Sequence, residues 1–431
     1  MKEVDISSSR FIGLSGHLVS GASGHFETFH KRLNQAVEDL IGKSNSQFLG
    51  SLKSIDKDSW FKPLIPRSMT SSVPWLSKKF LRHLRELDKK NGDVSILYIY
   101  EGNLASLFLL GSIARRSKEV YLYFNFFNSS RYSSIFVSQI KLILFKGLFL
   151  LALRGIHKKV QLSADTEKVS NLLESKLKKT FAVFPMYSGL SPEFITNVER
   201  NVILINLRGV RSEYLLKSTL EKNPQLQNVV MDIHGVHNPD IAQYLAKFSN
   251  ITILPDQVDE FSYFASYKKY SRAAFLYDPE FFSMQSSGRL ADAIVAGAEL
   301  VIPIGTSLED VLLEFGNGSS FDFEEEDSLA QALLSKPSVE RRVEHMPTST
   351  WAATTILEKM QTLIEEDDTP EINRVSKLLN YAIDEIIRAA LWVLRLLFGF
   401  WKRLHILAGL RRQRSLLRFQ ANNLLPCIIA G

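Results

Sequence analysis

Along most of the chain, short apolar runs alternate with longer stretches of helical periodicity. A glycine-punctuated strand and loop at 11–17 precede an amphipathic run at 26–40. A polar stretch bearing Pro63, Pro66 and Pro74 follows. Apolar runs then recur at 94–100, 120–124 and 160–162, with one helix starting at Leu104 and a basic apolar helix within 134–154. Short strands separated by helical patterns of about 10–15 residues indicate βαβ units and a parallel sheet.

A second series begins after Pro185. Its predicted strands are 201–206, 229–233, 251–254, 273–277 and 299–303, and its predicted helices 211–222, 240–248, 260–270 and 288–296. The acidic, proline-bearing run at 365–370 reads as a linker. The expected fold is therefore α/β, with two doubly wound, Rossmann-like domains at 1–187 and 188–364 facing a central cleft. An acidic linker and a helical basic-apolar tail occupy 365–431. Open sheets bind ligands beyond the carboxyl ends of their strands, so such a cleft suits transfer between two substrates.

With 431 residues, 45% of them hydrophobic, the chain can fill real cores, which excludes disordered, collagenous and low-complexity classes. The single Cys, Cys427, excludes an internal disulfide and a Cys-based zinc site. The net charge of +6 is unevenly placed: residues 386–431 hold eight Lys/Arg and no Asp/Glu, which leaves the first 385 residues at −2. The N-terminus lacks a basic-then-apolar signal, so a cytoplasmic protein is expected. No apolar run free of charge reaches 18 residues, which argues against a spanning helix.

Residues 134–154, interrupted by Lys141 and Lys146, and the tail, where Leu, Phe and Trp alternate with Arg, have the composition of interfacial helices. For 134–154 a core helix fits equally well. Arginines of the tail would suit phosphates, but interleaved Leu410, Leu416, Leu417 and Phe419 argue against nucleic acid. Peripheral contact with the inner face of the cell membrane is expected.

Several chemical motifs fail on spacing. Gly42-Lys43-Ser44 has Val37 where a P-loop needs Gly, and Gly13, Gly16, Gly21 and Gly24 make no GxGxxG. No GxSxG surrounds Ser15 or Ser23. Asp56-Lys57-Asp58 sits in a polar loop, and His17, His25 and His30 fit no zinc spacing, so no metal is expected. The informative stretch runs from Ala274 to Thr306. A strand leads to Tyr277, a loop follows, and Ser286-Ser287-Gly288 opens a helix containing Asp292. Free amides and the dipole at such a helix start make an anion site, although an ordinary capped core helix fits the same residues.

This segment resembles the donor-binding motif of bacterial GT-B glycosyltransferases of the retaining family 4 type. Tyr-Asp-Pro, Ser-Ser-Gly, an acidic residue before Ala-x-x-Ala-Gly, and Val-x-Pro-x-Gly-Thr occur in that order. Gly24-His25 and the run from Asn206 to Glu213 are weaker echoes. The resemblance implies a nucleotide-sugar donor held by the second domain, with Ser286, Ser287 and Gly288 on the diphosphate, Asp292 on the ribose, Arg211 on a phosphate and Tyr277 on the donor loop. His25 would face the acceptor. It implies hexosyl transfer with retention, without a metal or other cofactor; together with the two basic apolar segments, the expected acceptor is lipid-linked or an envelope polysaccharide.

Two departures matter. Tyr214 stands where the family has Lys, and Met284 stands where it has the first of two Glu. Arg208, Lys217 or Arg289 would have to replace the lost cation, with Arg289 best placed. The alternative reading is a non-catalytic GT-B-like protein that binds a nucleotide sugar or scaffolds a membrane assembly.

Overall fold

The computed structural model describes residues 9–15, 18, 26–51, 60–65, 83, 94–100, 102–115, 117–126, 139–190, 201–255, 260–335 and 347–367. The chain divides into compact units Met1–Pro370 and Glu371–Gly431. The second unit, which carries the basic-apolar tail, lies outside the described residues, as do His25 and Asp56-Lys57-Asp58.

Two parallel sheets make up the first unit. The first contains β1 (Arg10–Leu14), β2 (Ser46–Ser51), β3 (Lys62–Ile65), β4 (Ser95–Ile99), β5 (Val120–Phe126), β6 (Val160–Ala164) and β7 (Ala182–Val183). Its helices are α1 (Phe26–Ile41), α2 (Leu104–Ala114), α3 (Gln139–Leu153) and α4 (Glu167–Leu177). The strand order is β3-β2-β1-β4-β5-β6-β7, so the chain reverses direction of travel between β1 and β4.

The second sheet contains β8 (Val202–Arg208), β9 (Met231–His234), β10 (Ile251–Ile253), β11 (Tyr270–Tyr277), β12 (Glu299–Pro303) and β13 (Gly318–Phe321). Around it lie α5 (Val210–Lys222), α6 (Pro239–Leu245), α7 (Glu260–Ser266), α8 (Pro279–Phe282), α9 (Gly288–Val295), α10 (Ser307–Phe315) and α11 (Glu326–Leu334). The order is β10-β9-β8-β11-β12-β13, with the reversal between β8 and β11. Every pairing in both sheets is parallel.

Side-chain alternation sorts β8 between two cores. Val202 and Leu204 pack with Phe275, Leu290 and Ile294, whereas Ile203, Ile205 and Leu207 pack with Leu216 and Leu220 on the other face. The same period puts Asn206 on the α9 side. A parallel sheet covered on both faces explains why these strands read as nearly unbroken apolar runs.

The final described helix, α12 (Ser349–Glu365), departs from the expected boundary. Residues 188–364 were expected to form the second domain, yet Ala352, Ile356 and Met360 join Phe11, Phe48, Ile96 and Tyr98 in the core of the first sheet. Trp351 at its start stacks on Phe184 at 5.8 Å and meets Phe315 edge-on at 5.6 Å, so one indole touches both halves. The chain thus crosses twice between the sheets.

Two other expectations change. The polar stretch contains edge strand β3, where Pro63 pairs with Gly50 of β2, and an edge position tolerates a residue lacking N–H. The helix expected at 260–270 stops earlier, because Tyr270 begins β11. In α3, Phe145 and Phe149 are buried, whereas Ile143 is 68% and Leu150 43% exposed. Within 139–153 the core-helix reading therefore holds for one face of α3. Among the described residues no helix is long and apolar enough to cross a membrane.

Ile356→Ala is expected to destabilise the protein by about 2–4 kcal/mol through the cavity it leaves. Hydrogen exchange should then locate the lost protection in β1, β4 and β5, and loss confined to β8–β13 would contradict the packing described.

Candidate functional site

The reversal between β8 and β11 opens a crevice at the carboxyl edge of the second sheet, and the predicted donor residues gather there. Asn206 and His234 are register partners on β8 and β9, and Arg208 faces Tyr277 across β8 and β11. Gly235, directly after His234, has φ +87°, and a Cβ there would lie 2.4 Å from the Leu207 carbonyl oxygen. Only glycine lets the chain leave β9 at that point.

Helix α9 starts as the sequence suggests. Ser287 is its extended N-cap, and the Ser287 side chain makes no capping hydrogen bond to the first turn. Leu290 N–H reaches the Ser287 carbonyl, while Gly288 and Arg289 supply the amides ahead of it. Tyr277 Oη lies 3.4 Å from Ser287 Oγ. Ser286 turns the other way and donates to Asp165 Oδ2 at 2.7 Å, at the end of β6 in the first sheet. The Gly288 Cα also lies close to the crossing segment, where a Cβ would come within 3.2 Å of Met186 Cε.

The cations divide sharply. Arg211 lies 3.0 Å from Asp278, 3.6 Å from Glu280 and 2.5 Å from Glu324. The Glu324 hydrogen bond, then the Asp278 charge, raise its pKa above the ordinary guanidinium value. A phosphate at Arg211 would have to compete with three carboxylates. Arg208 is exposed and lies over the Phe282 ring at 5.5 Å. Arg289 reaches Asn206 Oδ1 at 3.1 Å and His234 Nε2 at 2.9 Å, both uncharged acceptors when the imidazole is neutral. Asn206 is 1% exposed, and among the described residues its Nδ2 has no hydrogen-bond partner. Leaving such a donor unsatisfied costs about 1–3 kcal/mol, which favours an acceptor atom beside Arg289.

Asp292 is used differently from the other predicted residues. It is 4% exposed. Oδ1 accepts from Ser188 Oγ at 2.6 Å and Gly189 N at 3.2 Å, and Oδ2 accepts from Tyr263 Oη at 2.9 Å. Ser188 N–H in turn donates to the Pro347 carbonyl at 2.6 Å, so the carboxylate grips both crossings between the sheets. Ribose hydroxyls would have to displace these donors. Ser188, Tyr263, Asn206 and His234 were not predicted. Nothing in their spacing marks them, because each acts through a contact made between distant segments.

A cavity of about 640 Å³ also lies between the halves, lined by Asp165, Glu167, Asp310 and Glu314 with Val311 and Leu313. Burial raises the Asp310 carboxyl above its ordinary pKa; the Lys168 charge opposes this, and the charges of Glu167 and Glu309 add to it.

No family model matches this chain, and no curated protein matches it in sequence. Among solved structures, a sucrose-phosphate synthase from Thermosynechococcus elongatus aligns over 89% of this chain and 100% of its own, with 12% identity and a TM-score of 0.50. An α,α-trehalose-phosphate synthase (UDP-forming) from Burkholderia vietnamiensis aligns over 84% and 99%, with 10% identity and a TM-score of 0.50. The fold is GT-B. Identity at this level carries the architecture and not the activity.

Asp292→Ala should cost about 3 kcal/mol and Ser188→Ala about 1–2 kcal/mol in urea denaturation, because each strands buried donors or an acceptor. The double variant should fall short of their sum by about 1 kcal/mol or more. Additive losses would show that the two groups act independently.

Burial, then the Asp292 charge, keeps the phenols of Tyr263 and Tyr267 above their ordinary 10.0. Unfolded phenols ionise first, so this stability is complete below pH 10.0 and lost as the pH rises above it. Tyr267→Phe should flatten the decline between pH 9 and pH 11 by roughly one ionisation's worth of slope in denaturation midpoints.

Proposed function

We propose that the chain is a glycosyltransferase that uses a nucleotide-sugar donor. The observation that carries this reading is a helix start without a side-chain cap beside Arg289, a guanidinium held by neutral partners, at the switch point of a GT-B fold. Helix amides and an uncompensated guanidinium are what a departing diphosphate needs, since negative charge grows on it as the sugar C1–O bond breaks.

In this reading Gly288 and Arg289 amides with the Arg289 side chain bind the diphosphate, and Arg208 approaches from the rim. Arg211 holds Asp278 and the donor loop instead of phosphate. Tyr277, Ser286 and Ser287 shape the loop. Asp292 meets the ribose only if the diol replaces Ser188 and Tyr263 as donors. The family resemblance adds hexosyl transfer with retention. The acceptor hydroxyl would attack C1 from the face the diphosphate leaves, passing its proton to the leaving oxygen, with His25 near the acceptor. No metal or cofactor is required when amides and guanidinium supply the positive potential.

The acceptor is proposed to be lipid-linked or an envelope polysaccharide, reached from the inner membrane face. Ile143 and Leu150 lie exposed on α3, and Arg154 and Lys158 are exposed just after it, a combination suited to an anionic interface. The tail adds eight more basic residues among large apolar ones.

Titration calorimetry with UDP, ADP and GDP tests the donor site. Arg289→Ala should weaken the nucleotide that binds roughly tenfold or more, whereas Arg211→Ala should change affinity less than Arg289→Ala does. The reverse order would place the phosphate at Arg211. Turnover of the matching nucleotide sugar with membrane lipid extract then separates an enzyme from a binding protein: tight binding with no turnover favours the non-catalytic reading.

A further inference from the structure

Arg289 can only donate hydrogen bonds, so the 2.9 Å contact between its Nη2 and His234 Nε2 requires that imidazole nitrogen to be an acceptor. His234 must then be neutral with its proton on Nδ1. The opposite side of the guanidinium is fixed by Asn206 Oδ1 at 3.1 Å. Because Asn206 and His234 are register partners on adjacent strands, the two acceptors are set by the sheet and not by a loop. Gly235 and its φ of +87° fix where β9 ends and so where the imidazole stands.

We infer that neutral His234 is the positioning residue for Arg289, holding the guanidinium toward the α9 amides so that its charge serves a nucleoside diphosphate. This rests on the donor site proposed above. Carboxylates would hold Arg289 as firmly but would cancel its field, as Asp278, Glu280 and Glu324 do for Arg211. An Asn and a neutral His orient it without that loss. The buried Asn206 Nδ2, without an acceptor among the described residues, faces the same need for an oxygen partner.

A protonated His234 would offer Arg289 a donor and a second positive charge at 2.9 Å, so the guanidinium would leave its seat. The surrounding charges stay largely fixed. Asp232, on the same face of β9, is paired with Lys269 at 2.6 Å and accepts from Tyr270 at 2.9 Å. Asp292, one turn on in α9, is engaged by Ser188, Gly189 and Tyr263, and the Tyr263 ring lies 6.0 Å from the Arg289 guanidinium carbon.

UDP is the probe, replaced by ADP or GDP if one of those binds better to the wild type. His234→Ala should weaken binding roughly tenfold, and His234→Gln, which keeps an acceptor, should recover most of it. In the wild type, affinity should fall with acidification more steeply than in His234→Gln. Titration of the nucleotide itself is common to both proteins and cancels in the comparison. A wild-type affinity that instead rises relative to His234→Gln in acid would make His234 a cationic ligand and overturn the inference. Equal losses in Ala and Gln variants would also overturn it.

A readout without nucleotide separates this inference from the donor-site reading. Imidazole nitrogen shifts should show His234 as the Nδ1–H tautomer, and Arg289→Met, which has no donor, should remove that preference. If no nucleotide binds the wild type but the tautomer responds to Arg289→Met, the donor reading fails and the pairing stands. If nucleotide binds but the tautomer is indifferent to Arg289→Met, the positioning role is wrong.

Discussion

At 4% exposure the Asp292 carboxylate is cut off from bulk water, and Ser188, Gly189 and Tyr263 hold its charge in place. Those donors come from the segment that leaves the first sheet and from the helix before β11. Ser188 also binds Pro347, where the chain returns. An ionised carboxylate without such partners would be costly to bury, so the linker, α7 and α9 are constrained to meet at one point. Trp351, packed between Phe184 and Phe315, adds an apolar contact across the same junction. The helix whose start faces the crevice is therefore the helix whose body fastens the two halves. An anion settling on the α9 amides would act on an element already tied to both crossings.

The electrostatics of the crevice follow from which cations have been neutralised. Arg211 lies beside Asp278, Glu280 and Glu324 and works as a structural tie for the loop after β11. Arg289 lies among an amide, an imidazole and an aromatic ring, and keeps its field. The neighbouring cavity carries Asp165, Glu167, Asp310 and Glu314 on its wall. Two arginines 78 positions apart thus differ in role because of their partners and not their chemistry.

The periodicity of the chain was enough to read two parallel α/β halves, because strands buried on both faces leave unbroken apolar runs. It was poorer at edges. Ser46–Ser51 has too few large apolar residues to read as a strand, and Pro63 hides β3 until its edge position is known. The destination of α12 was invisible, since Ala352, Ile356 and Met360 fit either core equally well as a pattern. At the site, Ser286-Ser287-Gly288 and Arg289 were legible from their place after a strand and at a helix start. His234 and Asn206 were not, because their meaning lies in the β8–β9 register. Asp292 was found for its charge, but its use depends on Ser188, which lies 104 residues away in the chain.

The central claim is that a nucleoside diphosphate binds at α9 through Arg289. Diffraction from crystals grown with UDP, or with whichever nucleotide binds best, tests it most directly. The account predicts diphosphate oxygens within hydrogen-bond distance of the Gly288 and Arg289 amides and of the Arg289 guanidinium, with the Arg211–Asp278 pair intact. A diphosphate seated on Arg211 with that pair broken, or bound outside the crevice between β8 and β11, would contradict it.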